Sequence, residues 1–559
     1  MNKKVMAFVA TMSVLSSALV GFTACKEPVP NDENTLEIFI SNFGYGTDWL
    51  DDMIEEFKKQ DWVVAKYGDK LNIPTPASNT DRTFPAERII TDGKTNTVDL
   101  FFAVDSAGTY YDRIDSSTNT GFFEDLTELY EKKVPDYADD SQNVTFAEKM
   151  NDTILATMVH TKKSDASTTY YAVPWVNGYM GLLYNQTLVD QHLGANYVLP
   201  TTSIGLEKMA KALKGKITPF ISSADSSYWN QICMTWWVQY EGTERYEDYW
   251  LGVDEYDQIT TANFAQIGRL RALETLEGLI GAEKGYNHKD VNTLKFTAAQ
   301  SKYILGEAVM MPNGDWFESE MRSNYEEDKN KYDIKYMMTP VISAIVENLP
   351  SVYTDTVEYN KLDQTKKDAY DAKLVEIIKV VDAEGTLAAA QVAVPNLTQA
   401  DFDKVKEARK IIYGVSDHDA YIPSYATAKG LAKDFLLFMA TDKACETFMR
   451  STNGVSTAFE YDVKTKAPEL YASFSNLQKE KDEIVQNGIT PYTSTTSKLV
   501  YLGGLNSFVI SGTLEPLFTS QNAADRKSAW DIYNNDIQYY AKNDGEYWTD
   551  LLTRAGIQN

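Results

Sequence analysis

The chain has 559 residues, 80 of them acidic against 53 basic, for a formal net charge of −27. That length allows two lobes with substantial cores, and the acidity argues against nucleic acid and anionic lipid as partners. Aromatic residues make up 12%, with 35 Tyr, 23 Phe and 10 Trp, and most of these rings are expected in cores.

Lys3 and Lys4 precede an apolar run, Val5–Val20, and then Gly21-Phe22-Thr23-Ala24-Cys25. A short basic start, an apolar stretch and small residues before a cut mark a secretory signal. The cysteine at the cut resembles a bacterial lipobox, with Phe22 where Leu is usual. The resemblance implies that residues 1–24 are removed, that Cys25 takes lipid, and that the chain is held at the outer face of the cell membrane. Residues 25–34 then form the lipidated start and a polar leash. No later apolar run is long enough to cross a bilayer. Cys233 and Cys445 read as two buried free thiols, or as a pair if the fold brings them together.

Alternating Leu36, Ile38 and Ile40 predict a strand. A polar turn, Ser41-Asn42-Phe43-Gly44-Tyr45-Gly46, leads into Leu50, Met53, Ile54 and Phe57 at helical spacing. Val98–Val104 is almost wholly apolar, as in a strand covered on both faces, and runs into Asp105-Ser106-Ala107-Gly108. Strand, loop, helix in this order is the unit of an α/β sheet, which binds ligands at the carboxyl ends of its strands. Helices are predicted over Ile267–Ile280 and Gly430–Met449, with charged helical segments near Leu362–Ala383 and Gln399–Tyr413.

Four segments, in order, resemble the extracellular solute-binding proteins that serve ABC importers, and within them the maltose- and multiple-sugar-binding group. They are Leu36–Lys59, Tyr171–Gly194 with its Leu183-Tyr184-Asn185, Phe296–Trp316 with its Gly314-Asp315-Trp316 ending, and Lys429–Gly454. The stretch Val341–Asp419 exceeds what that pattern needs and is expected as a helical insertion of the first lobe, as in longer Gram-positive members. The resemblance implies a two-lobe periplasmic-binding-protein-like α/β fold of type II, with the ligand cleft between the lobes. The first lobe is expected over 35–177 and 314–422, the second over 178–313 and 423–559. Chain crossings are expected near Asn177–Gly178, Pro312–Gly314 and Tyr421–Ser424, with Gly178 and Gly314 absorbing backbone rotation. The implied role is that of a monomer that captures a carbohydrate, an oligosaccharide, and passes it to ABC-importer permease subunits.

A sugar offers hydroxyls to carboxylates and amides, and C–H faces to aromatic rings. The resemblance places Asp105 where the maltose-binding pattern has a sugar-contacting Asp, with helix capping as the alternative. Asn42, Phe43 and Tyr45 lie in the first strand-to-helix loop, and Trp175, Asn177 and Tyr179 at a crossing. Tyr228 and Trp229 resemble the aromatic platform of the second lobe, with a place in the core as the alternative for either, and Trp316 resembles the family's cleft tryptophan. Asn506, after Gly503-Gly504-Leu505, is a further candidate, whereas Trp236 and Trp237 are expected in the core.

No catalytic constellation is recognisable. The four histidines show no zinc spacing, and there is no nucleophile elbow, phosphate-binding glycine loop or cofactor motif. Asp417-His418-Asp419 could ligate calcium but reads better as a solvated turn. The competing functions are a surface glycan hydrolase or lyase, whose carboxylate pair cannot be picked out of 80 acidic residues, and a largely helical glycan-binding lipoprotein not tied to an ABC importer.

Overall fold

The computed structural model describes residues 32–80, 96–104, 122–137, 144–161, 167–226, 228–322, 324, 331–415, 418–491, 497–501, 503–505, 514–542 and 546–557. Cys25, Asp105 and Asn506 lie outside them. Two main sheets are built from β1 (Ile38–Ser41), β2 (Ala77–Asn79), β3 (Leu100–Phe102), β4 (Val173–Pro174), β5 (Gly178–Asn185), β6 (Thr218–Phe220), β7 (Ala308–Gly314), β8 (Ile334–Met337), β9 (Tyr413–Val415) and β10 (Asp419–Tyr421).

In the first lobe the strands run in the order β2-β1-β3-β10-β4. β1 is parallel to β2 and β3, with Phe39 opposite both Ala77 and Phe101, and β10 is antiparallel to β3. β3 is buried on both faces, which is why its sequence shows no polar alternation. Helix α1 (Asp48–Lys58) buries Trp49, Leu50, Met53, Ile54 and Phe57 along one stripe.

The second sheet has the order β8-β5-β7-β6, with β9 beside the start of β5. All eight residues of β5 are buried. Against it packs α2 (Trp229–Glu241), which is buried from Trp229 to Tyr240 apart from Gln231 and crosses α3 (Ile267–Ile280). Trp236 and Trp237 sit in this core.

The long insertion packs on the second lobe and not, as expected, on the first. Its helices α4 (Gln364–Asp382) and α5 (Gln399–Lys410) and the apolar run Val341–Val346 join the core of α2 and α3. The reason is the surface of α2, which carries buried groups on every side. Trp236 Nε1 donates to Pro340 O at 3.0 Å, Gln239 Oε1 accepts from Ile342 N at 2.9 Å, and Tyr240 OH donates to Glu347 at 2.9 Å.

The chain after the insertion corrects the expected partition again. β10 stands in the first lobe as expected, but α6 (Lys429–Met439) and α7 (Asp442–Ser451), expected in the second, also belong to the first lobe's core, through Phe459. The helical stretch expected over Gly430–Met449 is two helices, parted at Thr441, whose Oγ1 caps α7 by accepting from Ala444 N at 3.1 Å. Helices α8 (Asn476–Asn487) and α9 (Leu514–Thr519) return to the second lobe.

The chain therefore passes between lobes at 176–178, between 415 and 418, and between 459 and 477. Pro312–Gly314 is not a crossing, since these residues end β7 within the second sheet, and Tyr421 lies inside the first sheet, beyond the passage. The two glycines serve space. A Cβ on Gly178 would meet Val415 Cβ at 2.8 Å, and one on Gly314 would run into the Trp316 ring.

Candidate ligand cleft

A cavity of about 560 Å³ opens between the lobes. The first lobe contributes Phe43 and Gly44, from the β1–α1 loop, with Val104 and His418. Gly44 takes φ +55°, where a side chain is strained, and brings the loop backbone against Trp316. From the second lobe come Asp225, Ser226, Tyr228 and Gln231 at the entry to α2, then Phe296 and the Tyr413–Val415 edge strand.

Trp316 is the centre of the cleft. It follows β7 of the second lobe yet rests partly on the first lobe's core, its indole folded back over Gly314. Tyr228 meets it edge-on, with ring centroids 5.8 Å apart. Two half-buried rings at an angle give a ligand one apolar wall and one apolar corner. Carboxylates stand around them, each held by a neighbour: Asp225 by Lys295 at 3.0 Å and Glu320 by Gln300 Nε2 at 2.8 Å. An aromatic platform ringed by fixed acceptors suits a hydroxyl-rich ligand.

Beneath the cavity lies a buried polar thread. Tyr45 OH donates to Asp315 Oδ1 at 2.7 Å. Burial holds the Asp315 carboxyl above the usual range against the pull of Lys481, Tyr45 and His418. Lys481, buried as well, donates to Gly454 O and Ser456 Oγ, both at 2.8 Å, and burial pulls its ammonium below its usual range.

Among the residues singled out in the sequence, Phe43, Tyr228 and Trp316 line the cavity. Trp229 does not. It is fully buried, edge-on to Phe220 at 5.2 Å, because adjacent residues on a helix point about 100° apart and Tyr228 has taken the open side. Trp175 is core too, stacked on Trp49 at 4.8 Å, and so is Tyr179, edge-on to Tyr336. Tyr45 is buried one layer below the cavity, edge-on to Trp316 at 6.3 Å. Asn42 is exposed with its N–H on Asn79 O, and Asn177 gives its N–H to Ser456 O at the first crossing. His418, read from sequence as part of a solvated turn, lies in the cleft wall against Tyr45 and Trp175. Phe296, Gln231 and Glu320 carried no signal that sets them apart from other helical residues.

Fold and cleft define a two-lobe binding protein. The chain belongs to the bacterial extracellular solute-binding proteins, whose family model matches residues 86–468. No curated protein matches the sequence. Among solved structures it is similar to one described for xylan utilization by the thermophilic bacterium Caldanaerobius polysaccharolyticus, at 13% identity over 90% of this chain and 99% of that one, TM-score 0.55. A chitin oligosaccharide binding protein matches at 15% identity over 90% and 98%, TM-score 0.53. The GacH receptor of Streptomyces glaucescens, solved unliganded and with acarbose, matches at 13% identity over 93% and 99%, TM-score 0.51. At these identities the likeness is one of fold.

Proposed function

We propose that this protein captures a carbohydrate, an oligosaccharide, in the cleft between its lobes and delivers it to the permease subunits of an ABC importer. The observation that carries the reading is the Trp316–Tyr228 pair set among Asp225, Gln231 and Glu320. Chitin oligosaccharide and acarbose, named for two proteins of the same fold, are ligands of this chemistry. Asp105 directly follows Val104, which lines the cavity, and is proposed as a hydrogen-bonding contact, with Asn506 a further candidate. Lipid on Cys25 would tether the first lobe at the membrane through residues 25–34.

Titration calorimetry against xylotriose, chitotriose, maltotriose and acarbose tests the reading. Binding of at least one is expected. Asp105→Ala should weaken it by about 1.5–3 kcal/mol through loss of a charge-assisted hydrogen bond. Turnover of a saccharide would favour a glycan-active enzyme instead. Mass spectrometry of the N-terminal peptide tests the tether, and an unmodified Cys25 would remove it.

A further inference from the structure

Helix α9 touches two segments that line the cleft. At its start Glu515 is fully buried; it accepts a hydrogen bond from the Ser222 hydroxyl and another from the backbone N–H of Trp229. One turn later the Thr519 hydroxyl donates to Asn292 Oδ1 at 2.6 Å, while its carbonyl accepts from Asn292 Nδ2 at 2.8 Å. Ser222 and Trp229 bracket the segment whose Asp225, Ser226 and Tyr228 line the cavity, and Asn292 lies just before Phe296. Glu515 itself is not a lining residue.

We infer that Glu515 is a positioning residue of the cleft, holding the 222–229 segment in the shape that presents Asp225, Ser226 and Tyr228 to the ligand. This rests on the cleft being the ligand site. Neutral, the carboxyl accepts both donors without placing a charge in the core; ionised, it puts one beside Asp225.

Burial pushes this carboxyl up to about 8 against the pull of its two donors, and Asp225 adds to the rise. The elements around α9 turn their own charges elsewhere. On α3, Arg269 pairs with Asp536, Arg271 with Glu274 and Glu347, and Glu277 accepts from Ala529 N. On α2, Glu241 accepts from Gly268 N and burial keeps Cys233 a thiol. Beside Asn292, Asp290 sits 3.8 Å from His288. The cleft's affinity therefore carries a pH dependence set by a group the ligand never touches.

The test uses the full chain, Glu515→Gln and Ser222→Ala, with melting temperatures from pH 4.5 to 9 and affinity for the tightest-binding of the four saccharides above. A carboxyl whose folded pKa exceeds its unfolded value binds a proton on folding, so its contribution to stability falls as pH rises from about 4.5 through about 8. The wild type should show that loss and Glu515→Gln should lack it. Wild-type affinity should fall about tenfold by pH 9, as the neutral fraction shrinks to about a tenth. Glu515→Gln should flatten this fall, and Ser222→Ala, which removes a donor to the carboxylate, should move it to higher pH. Identical affinity profiles in wild type and Glu515→Gln would overturn the inference, as would a fall in Ser222→Ala at the wild-type pH. A wild type that binds no saccharide overturns the reading of the cleft and with it the effect on affinity. A flattened melting profile in Glu515→Gln would then still place the titration at Glu515, so the two failures are distinguishable.

Discussion

Tyr45 of the first lobe and Asp315 of the second are joined by a 2.7 Å hydrogen bond, phenol to carboxylate, in a site where both side chains are buried. The bond sits directly under the cleft. Tyr45 follows Phe43 and Gly44 in the loop that lines it, and Asp315 precedes Trp316. Any rotation of one lobe on the other must either carry this pair or break it.

Tyr45→Phe removes the donor and leaves the buried carboxylate with one partner fewer. The expected cost is about 1–3 kcal/mol, read from denaturant unfolding. Adding Asp315→Asn to the same chain should recover part of that loss, since a neutral amide suffers less from the missing donor. A double variant no more stable than the single one would show that the carboxylate is not what suffers.

Trp316 and Trp229 should separate cleanly. Trp316→Ala is expected to weaken saccharide binding by about 1.5–3 kcal/mol with little change in melting temperature, because the ring is half-buried in the cleft wall. Trp229→Ala should cost roughly 3–5 kcal/mol of stability, because its indole fills the core. Calorimetry paired with melting curves checks both.

Gly314→Ala places a methyl where the Trp316 ring now lies. The indole has to leave, so ligand affinity should drop at least as far as in Trp316→Ala while the sheet persists by circular dichroism. Unaltered affinity would mean that the folded-back indole is not the platform.

Acid should loosen the first lobe through Asp442. Burial raises its carboxyl, but hydrogen bonds from Lys149, at 2.6 Å, and from Lys466 outweigh this and hold it below the usual range. A depressed folded pKa stabilises above the unfolded value near 3.8, and that stabilisation is lost as pH falls through the folded value. Asp442→Asn should cost about 2–3 kcal/mol at pH 7, since Lys149 stays buried without its partner. The gap to wild type should narrow below pH 4 in urea unfolding.

The fold was legible where apolar pattern and loop chemistry agree. Leu36, Ile38 and Ile40 mark β1, the spacing of Leu50, Met53, Ile54 and Phe57 marks α1, and the unbroken run around Leu100–Phe102 marks a strand covered on both faces. The side of the molecule that the insertion covers was not legible. Val341–Val346 shows only that something apolar is needed, and the surface that supplies it is α2, more than a hundred residues earlier. Of the cavity lining, Trp316 and Tyr228 were legible, where a turn precedes a helix. Trp175 and Trp229 look the same in sequence, and what separates them is which way a side chain leaves its backbone. Glu515 carries no local mark at all, since its importance comes from Ser222 and Trp229.

Cys233 and Cys445 are free thiols, one in each lobe's core. Burial pushes Cys445 up to about 12 and Cys233 higher still, so both are inert while their lobes stay folded. This makes the chain its own pair of domain-resolved reporters. Under a short pulse of a thiol-alkylating reagent at rising urea, modification of the peptide around Cys445 records opening of the first lobe, and that around Cys233 opening of the second. Simultaneous alkylation would reveal one cooperative unit welded by the Tyr45–Asp315 thread. Staggered alkylation would reveal two separately melting halves, and the order would name the weaker one.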